Sequence, residues 1–144
     1  MKKSILWMTL VIWSVTASLV LAQESAQKQL FINLTTQDTI RAGMAIEFST
    51  KVMKMKQMPA TIFLNARAVG IAQKGQESPM HASGATLQEM LKGFMAKGGT
   101  VYICPMCMKN VGKFKADQVI PGVTIAGKDT LDALFADGTK VMSY

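Results

Sequence analysis

Four short apolar segments constrain this chain most: Leu30-Phe31-Ile32-Asn33-Leu34, Thr61-Ile62-Phe63-Leu64, Thr100-Val101-Tyr102-Ile103 and Val123-Thr124-Ile125-Ala126. They lack the strict polar-apolar alternation of a strand with one solvated side. Near-continuous apolar runs of this length are what a parallel sheet covered on both faces requires. Parallel neighbours cannot be joined by a hairpin; each pair needs a crossover, usually a helix.

The intervening stretches supply those helices. Asp38 can cap a helix in which Met44, Ala45, Phe48, Val52 and Met55 recur at three and four, with Glu47, Lys51 and Lys54 on the other side, and Pro59 closes the region. Thr86 and Glu89 form a capping box ahead of Leu87, Met90, Leu91 and Phe94, and Gly98-Gly99 supplies the stop. Asp129 is positioned to cap a last helix that turns Leu131, Leu134 and Phe135 inward and ends at Gly138, before a final edge strand through Lys140-Val141-Met142. Residues 70–84, rich in Gln, Lys, Gly and Ser, form a loop long enough to suggest function or mobility. The expected fold is α/β: a single doubly wound, mostly parallel five-stranded sheet with helices on both faces, in flavodoxin-like order, spanning residues 23–144.

The first 22 residues read differently. Lys2 and Lys3 precede an apolar run over residues 5–21, followed by Val20-Leu21-Ala22 as small-residue cleavage context. This is the pattern of an export signal, which places the domain in the periplasm. The run just reaches the lower limit for crossing a bilayer, so an uncleaved anchor is the alternative, and only then is a membrane a partner. Residues 23–144 retain 14 basic and 9 acidic residues, a net +5. The lysines are scattered without aromatic interleaving, which reads as a solvated face and not as a nucleic-acid surface.

The chemistry concentrates in Cys104-Pro105-Met106-Cys107-Met108, directly after the third apolar segment. Ligands and chemistry in doubly wound sheets collect beyond the carboxyl ends of strands. A cysteine delivered there, ahead of a helix opened by Pro105 and with Lys109 and Lys113 nearby, has surroundings that favour thiolate. Cys107 can close a redox disulfide with Cys104 or resolve an intermediate on it. Two thiolates and two thioethers within five residues also admit Cu(I), giving a periplasmic copper-binding protein as an alternative. A third is a non-catalytic assembly subunit in which the cysteines are merely buried. Two cysteines are too few for a zinc ribbon, and His81, the lone histidine, reads as a loop residue. Gly122 to Lys128 matches the spacing of a phosphate loop, but Asp129 stands where a Ser or Thr should reach magnesium. No cofactor is implied.

Val101-Tyr102-Ile103-Cys104 followed by Val111-Gly112 resembles the corresponding stretch of the DsrE/DsrF/TusD sulfur-relay family. So do Asp38 through Arg41, Ile62-Phe63-Leu64 through Gly70, and Thr86-Leu87-Gln88-Glu89-Met90-Leu91. The resemblance implies that Cys104 carries sulfur as a persulfide between donor and acceptor proteins or small thiols, and that the chain assembles into homo-trimers or hexamers. An export signal and the additional Cys107 depart from the better-known relay proteins, which makes Cys107 a candidate resolving thiol.

Overall fold

The computed structural model describes residues 28–144, so the leader expected over residues 1–22 and the domain boundary at 23 lie outside the described residues. β1 (Gln29–Leu34), β2 (Ala60–Leu64), β3 (Thr100–Ile103), β4 (Val123–Ile125) and β5 (Thr139–Ser143) form one sheet, and every pairing in it is parallel. Ile32 lies opposite Ile62 and Ile62 opposite Val101, while Leu34, Leu64 and Ile103 form the next row. These rows face the near side of the sheet. There they meet Ala42, Ala45 and Ile46 of α1 (Thr39–Lys56), Leu87, Leu91 and Phe94 of α2 (Leu87–Ala96), and Ala68, Val69 and Ile71 of a 3-10 helix (Ala66–Ala72). Each fully buried Leu or Ile in this set contributes about 1.5–3 kcal/mol relative to exposure.

The strand order is β4-β3-β2-β1-β5. This departs from the flavodoxin-like expectation, in which β1 sits between β2 and β3. Here the chain steps from β1 to β4 in one direction, and only the last crossover returns past them to lay β5 beside β1. Right-handed crossovers stepping one way fall on one face, and the reversed step falls on the other. The returning helix, α4 (Lys128–Phe135), accordingly lies on the far side: Gln29, which faces away from Leu30 and Ile32, donates from Nε2 to the Ala133 carbonyl at 2.7 Å. Helices thus lie on both faces, but unequally.

Two helical faces are turned from their expected orientation. In α1 the buried residues are Ala42, Gly43, Ala45, Ile46 and Ser49, while Met44, Phe48 and Met55 are exposed. Small side chains let the helix lie close to the sheet, where a row of Met and Phe would hold it away. Ser49 buries without cost in unmet hydrogen bonding because its hydroxyl donates to the Ala45 carbonyl at 2.7 Å. In α4, Leu131 and Phe135 are exposed, and Thr130 is the buried residue. The N-cap position of α4 is Gly127, whose N–H donates to the Thr130 hydroxyl at 3.3 Å, with Asp129 two residues on, in the first turn. The other helix signals hold. Asp38 Oδ1 accepts from the Arg41 N–H at 3.0 Å, and the Thr86/Glu89 capping box is fully formed.

Candidate functional site: the thiol pair at the carboxyl edge

β3 continues its ladder one residue beyond the strand, with the Cys104 N–H donating to the Leu64 carbonyl at 2.9 Å. The chain then turns into α3 (Pro105–Cys107), where Pro105 occupies a first-turn position that needs no N–H, and continues as a π-turn over Met108–Gly112. A single α-turn followed by a π-turn is shorter than the helix expected after Cys104, so a long helix dipole plays no part. What replaces it is local. The Cys104 Sγ accepts from the Cys107 N–H at 3.4 Å, placing sulfur at the N-cap position usually held by a hydroxyl or carboxylate. Both cysteines are free thiols and both are partly exposed.

The surroundings of Cys107 favour its thiol form over the thiolate. Burial is the largest cause raising its thiol above the ordinary range, the hydrogen bond and charge of Cys104 push the same way, and only the Ala66 backbone N–H opposes them. That N–H is aimed by unusual backbone. Ala66 has φ of 45°, a left-handed conformation that a residue with Cβ adopts at a cost, of the kind that accumulates where geometry serves function. Neighbouring contacts brace this edge. The Asn65 side chain donates to Asn33 Oδ1, the Asn65 N–H to the Leu34 carbonyl at 3.0 Å, and the Arg67 N–H to the Thr35 carbonyl at 3.1 Å.

Beside this platform, a cleft of about 350 Å³ is lined by Gln37, Arg67, Gly70, Gln73, Val111 and Gly112, among others. Arg67 follows Ala66 directly, and Val111 is one helical turn past Cys107. No carboxylate lines the cleft, and the ion pair among the described residues is Lys128–Asp132 on α4, which leaves the Arg67 guanidinium uncompensated. Sequence reasoning missed Ala66, Arg67 and Gln37. The left-handed Ala66 has no sequence signature, since Gly or Asn would ordinarily mark such a position.

The profile of the DsrE/DsrF-like family matches residues 27–144. The chain belongs to that family. Comparison with curated proteins returns no match. Among solved structures, the ychN protein from E. coli aligns with a TM-score of 0.62 at 21% identity, over 82% of this chain and 99% of that one, a likeness of fold. DsrE/DsrF-like membership suggests a role of sulfur-relay type, performed with partner proteins. In this DsrE/DsrF-like chain the sulfurs of the Cys-Pro-Met-Cys-Met segment do not all face one way: Met106 is exposed while Met108 is buried in the core. Among the described residues no group of three or more His, Cys, Asp or Glu is placed to hold a metal ion. His81 lies apart from the thiols' contacts. Its ring packs over Gly43 of α1, where an added Cβ would sit 2.4 Å from Cδ2, and its Nδ1 accepts from the Ser83 N–H at 3.2 Å.

Proposed function

We propose that this DsrE/DsrF-like protein is an exported sulfur carrier in which Cys104 holds sulfane sulfur as a persulfide and Cys107 resolves it. The observation that carries this reading is the pairing of a partly exposed sulfur, accepting a hydrogen bond at a strand end, with a second partly exposed thiol three residues on. In the loading step the Cys104 thiolate attacks the outer sulfur of a donor persulfide. A new S–S bond forms, the donor's S–S bond breaks, and its electron pair leaves on the donor thiolate. Discharge is the same exchange in reverse onto an acceptor thiolate. Arg67, at the adjoining cleft, offers positive charge to the anionic sulfur group of either partner.

Cys107 adds a second exit. Once its proton is lost, its sulfur attacks Cys104 Sγ and displaces hydrosulfide: the cysteine pair is oxidised to a disulfide, the sulfane sulfur is reduced, and an external dithiol must then restore the pair. In the exported compartment, where thiol pairs tend to oxidise, this closure limits the persulfide's lifetime. Self-assembly into a trimer or hexamer is part of the proposal. Among the described residues α4 is the helix on the far face of the sheet, and Val141 of β5 with Leu131 and Phe135 of α4 stand exposed at 52%, 56% and 79%.

Intact mass after incubation with a persulfide donor tests the carrier role. Wild type gains one sulfur, Cys104→Ser does not, and Cys107→Ser holds its adduct longer. No adduct on wild type, or an undiminished adduct on Cys104→Ser, overturns it. Light scattering of the purified chain reads the assembly.

A further inference from the structure

α1 carries a feature that neither the core nor the thiol site uses. Ile40, Met44, Phe48 and Met55 are 65%, 54%, 40% and 75% exposed. At 100° per residue they fall within an arc of about 80° along a helix about 27 Å long. Arg41, Lys51 and Lys54 lie within or beside the same arc, with Glu47 as the one carboxylate on the helix. None of these cations is in an ion pair among the described residues. Both sides of α1 are apolar, so the helix as a whole is not amphipathic, but its outward side combines exposed Ile, Met and Phe with interspersed unpaired cations, a combination suited to an anionic lipid surface.

We propose that α1 docks the domain on an anionic membrane surface, with the Ile40-Met44-Phe48-Met55 stripe in the headgroup layer and Arg41, Lys51 and Lys54 on lipid phosphates. Among the described residues no helix is long and apolar enough to cross a membrane, so α1 lies on the bilayer and does not span it. The topology places this contact sensibly. α1 runs back from the carboxyl edge of the sheet to the amino edge, where the Leu30 N–H donates to the Pro59 carbonyl at 2.9 Å. The helix end bearing Lys54 and Met55 therefore shares an edge with the point where the chain leads in from the apolar run at residues 5–21. Cys104 lies at the carboxyl edge, the edge from which α1 starts with Ile40 and Arg41. A second copy docked with the two α1 helices parallel would set Arg41, Lys51 and Lys54 against their own copies, whereas an antiparallel copy would not and is an outcome of the test.

Methionine footprinting tests it without reference to thiol chemistry. The full chain is exposed to dilute peroxide, alone and with vesicles of phosphatidylcholine or of phosphatidylglycerol, and sulfoxide is read by peptide mass. With the leader present in every sample, headgroup charge is the only variable between the two vesicles. Phosphatidylglycerol should slow oxidation of Met44 and Met55 at least about threefold while leaving the exposed loop residue Met80 unchanged. The protection should disappear in molar salt and in K51E/K54E, whose changes sit on exposed positions. Equal oxidation of Met44 and Met55 with both vesicles overturns the proposal and leaves an acidic protein as occupant. Protection that rises with protein concentration in the absence of vesicles overturns it in favour of a second copy.

Discussion

α1 and α2 pack side by side on one face of the same sheet, yet they obey opposite rules. α2 buries its large residues, Leu87, Leu91 and Phe94, and exposes Glu89 and Lys92, as its spacing predicts. α1 buries Ala42, Gly43, Ala45 and Ser49 with Ile46, and turns Ile40, Met44, Phe48 and Met55 to the outside. A regular apolar repeat therefore identifies a helix but not which of two apolar stripes faces the core. When both sides of a helix are apolar, the choice falls to close packing, and small residues win wherever the helix must lie near its neighbour.

The sharpest way to break this contrast is to truncate one large residue on each helix. Leu91→Ala in α2 should cost about 2–5 kcal/mol by denaturant titration, because the removed atoms leave a cavity in a close-packed core. Phe48→Ala in α1 should change stability by no more than about 0.5 kcal/mol. A comparable loss at both positions would mean that α1's outer stripe is already buried in the isolated protein.

A smaller effect sharpens the packing of α1 on its small face. Gly43→Ala gains about 1 kcal/mol of helix propensity but drives a Cβ into the His81 ring, so the single variant should be close to neutral and the loop around His81 should lose amide protection. In a His81→Ala background the same change should stabilise by about 1 kcal/mol. Additive effects would show that the ring moves aside freely.

The caps give a subtler comparison. Both helices are capped, α1 by the Asp38 carboxylate and α2 by the Thr86/Glu89 box, in which Glu89 is held below the ordinary carboxylate range, first by the Thr86 backbone N–H and then by the Thr86 hydroxyl. With the folded value depressed, its contribution is present above the unfolded value of about 4.3 and fades as pH falls through the lower folded one. The difference in Tm between wild type and Glu89→Gln should accordingly shrink on acidification below about pH 4. At the thiol pair, the alkylation rate of Cys107 should rise with pH only above the ordinary thiol range. Its midpoint should move part of the way down in Cys104→Ala, since burial remains when the neighbouring sulfur is gone.

Much of this molecule was legible in its residues. Unalternating apolar runs marked the parallel strands, Asp38 and the Thr86/Glu89 box marked the helix starts, and a strand running into Cys104 marked the edge that carries the thiol pair. These are local properties, since burial on both faces, satisfaction of helix-end N–H groups and the reach of a strand end are each written within a few residues. Only the tertiary structure decided the strand order, because alternation of elements does not record which way each crossover steps, and it decided which stripe of α1 faces inward. It alone brought the left-handed Ala66 N–H to Cys107 and set Arg67 and Gln37 around one cleft, contacts between residues distant in the chain that no local pattern encodes.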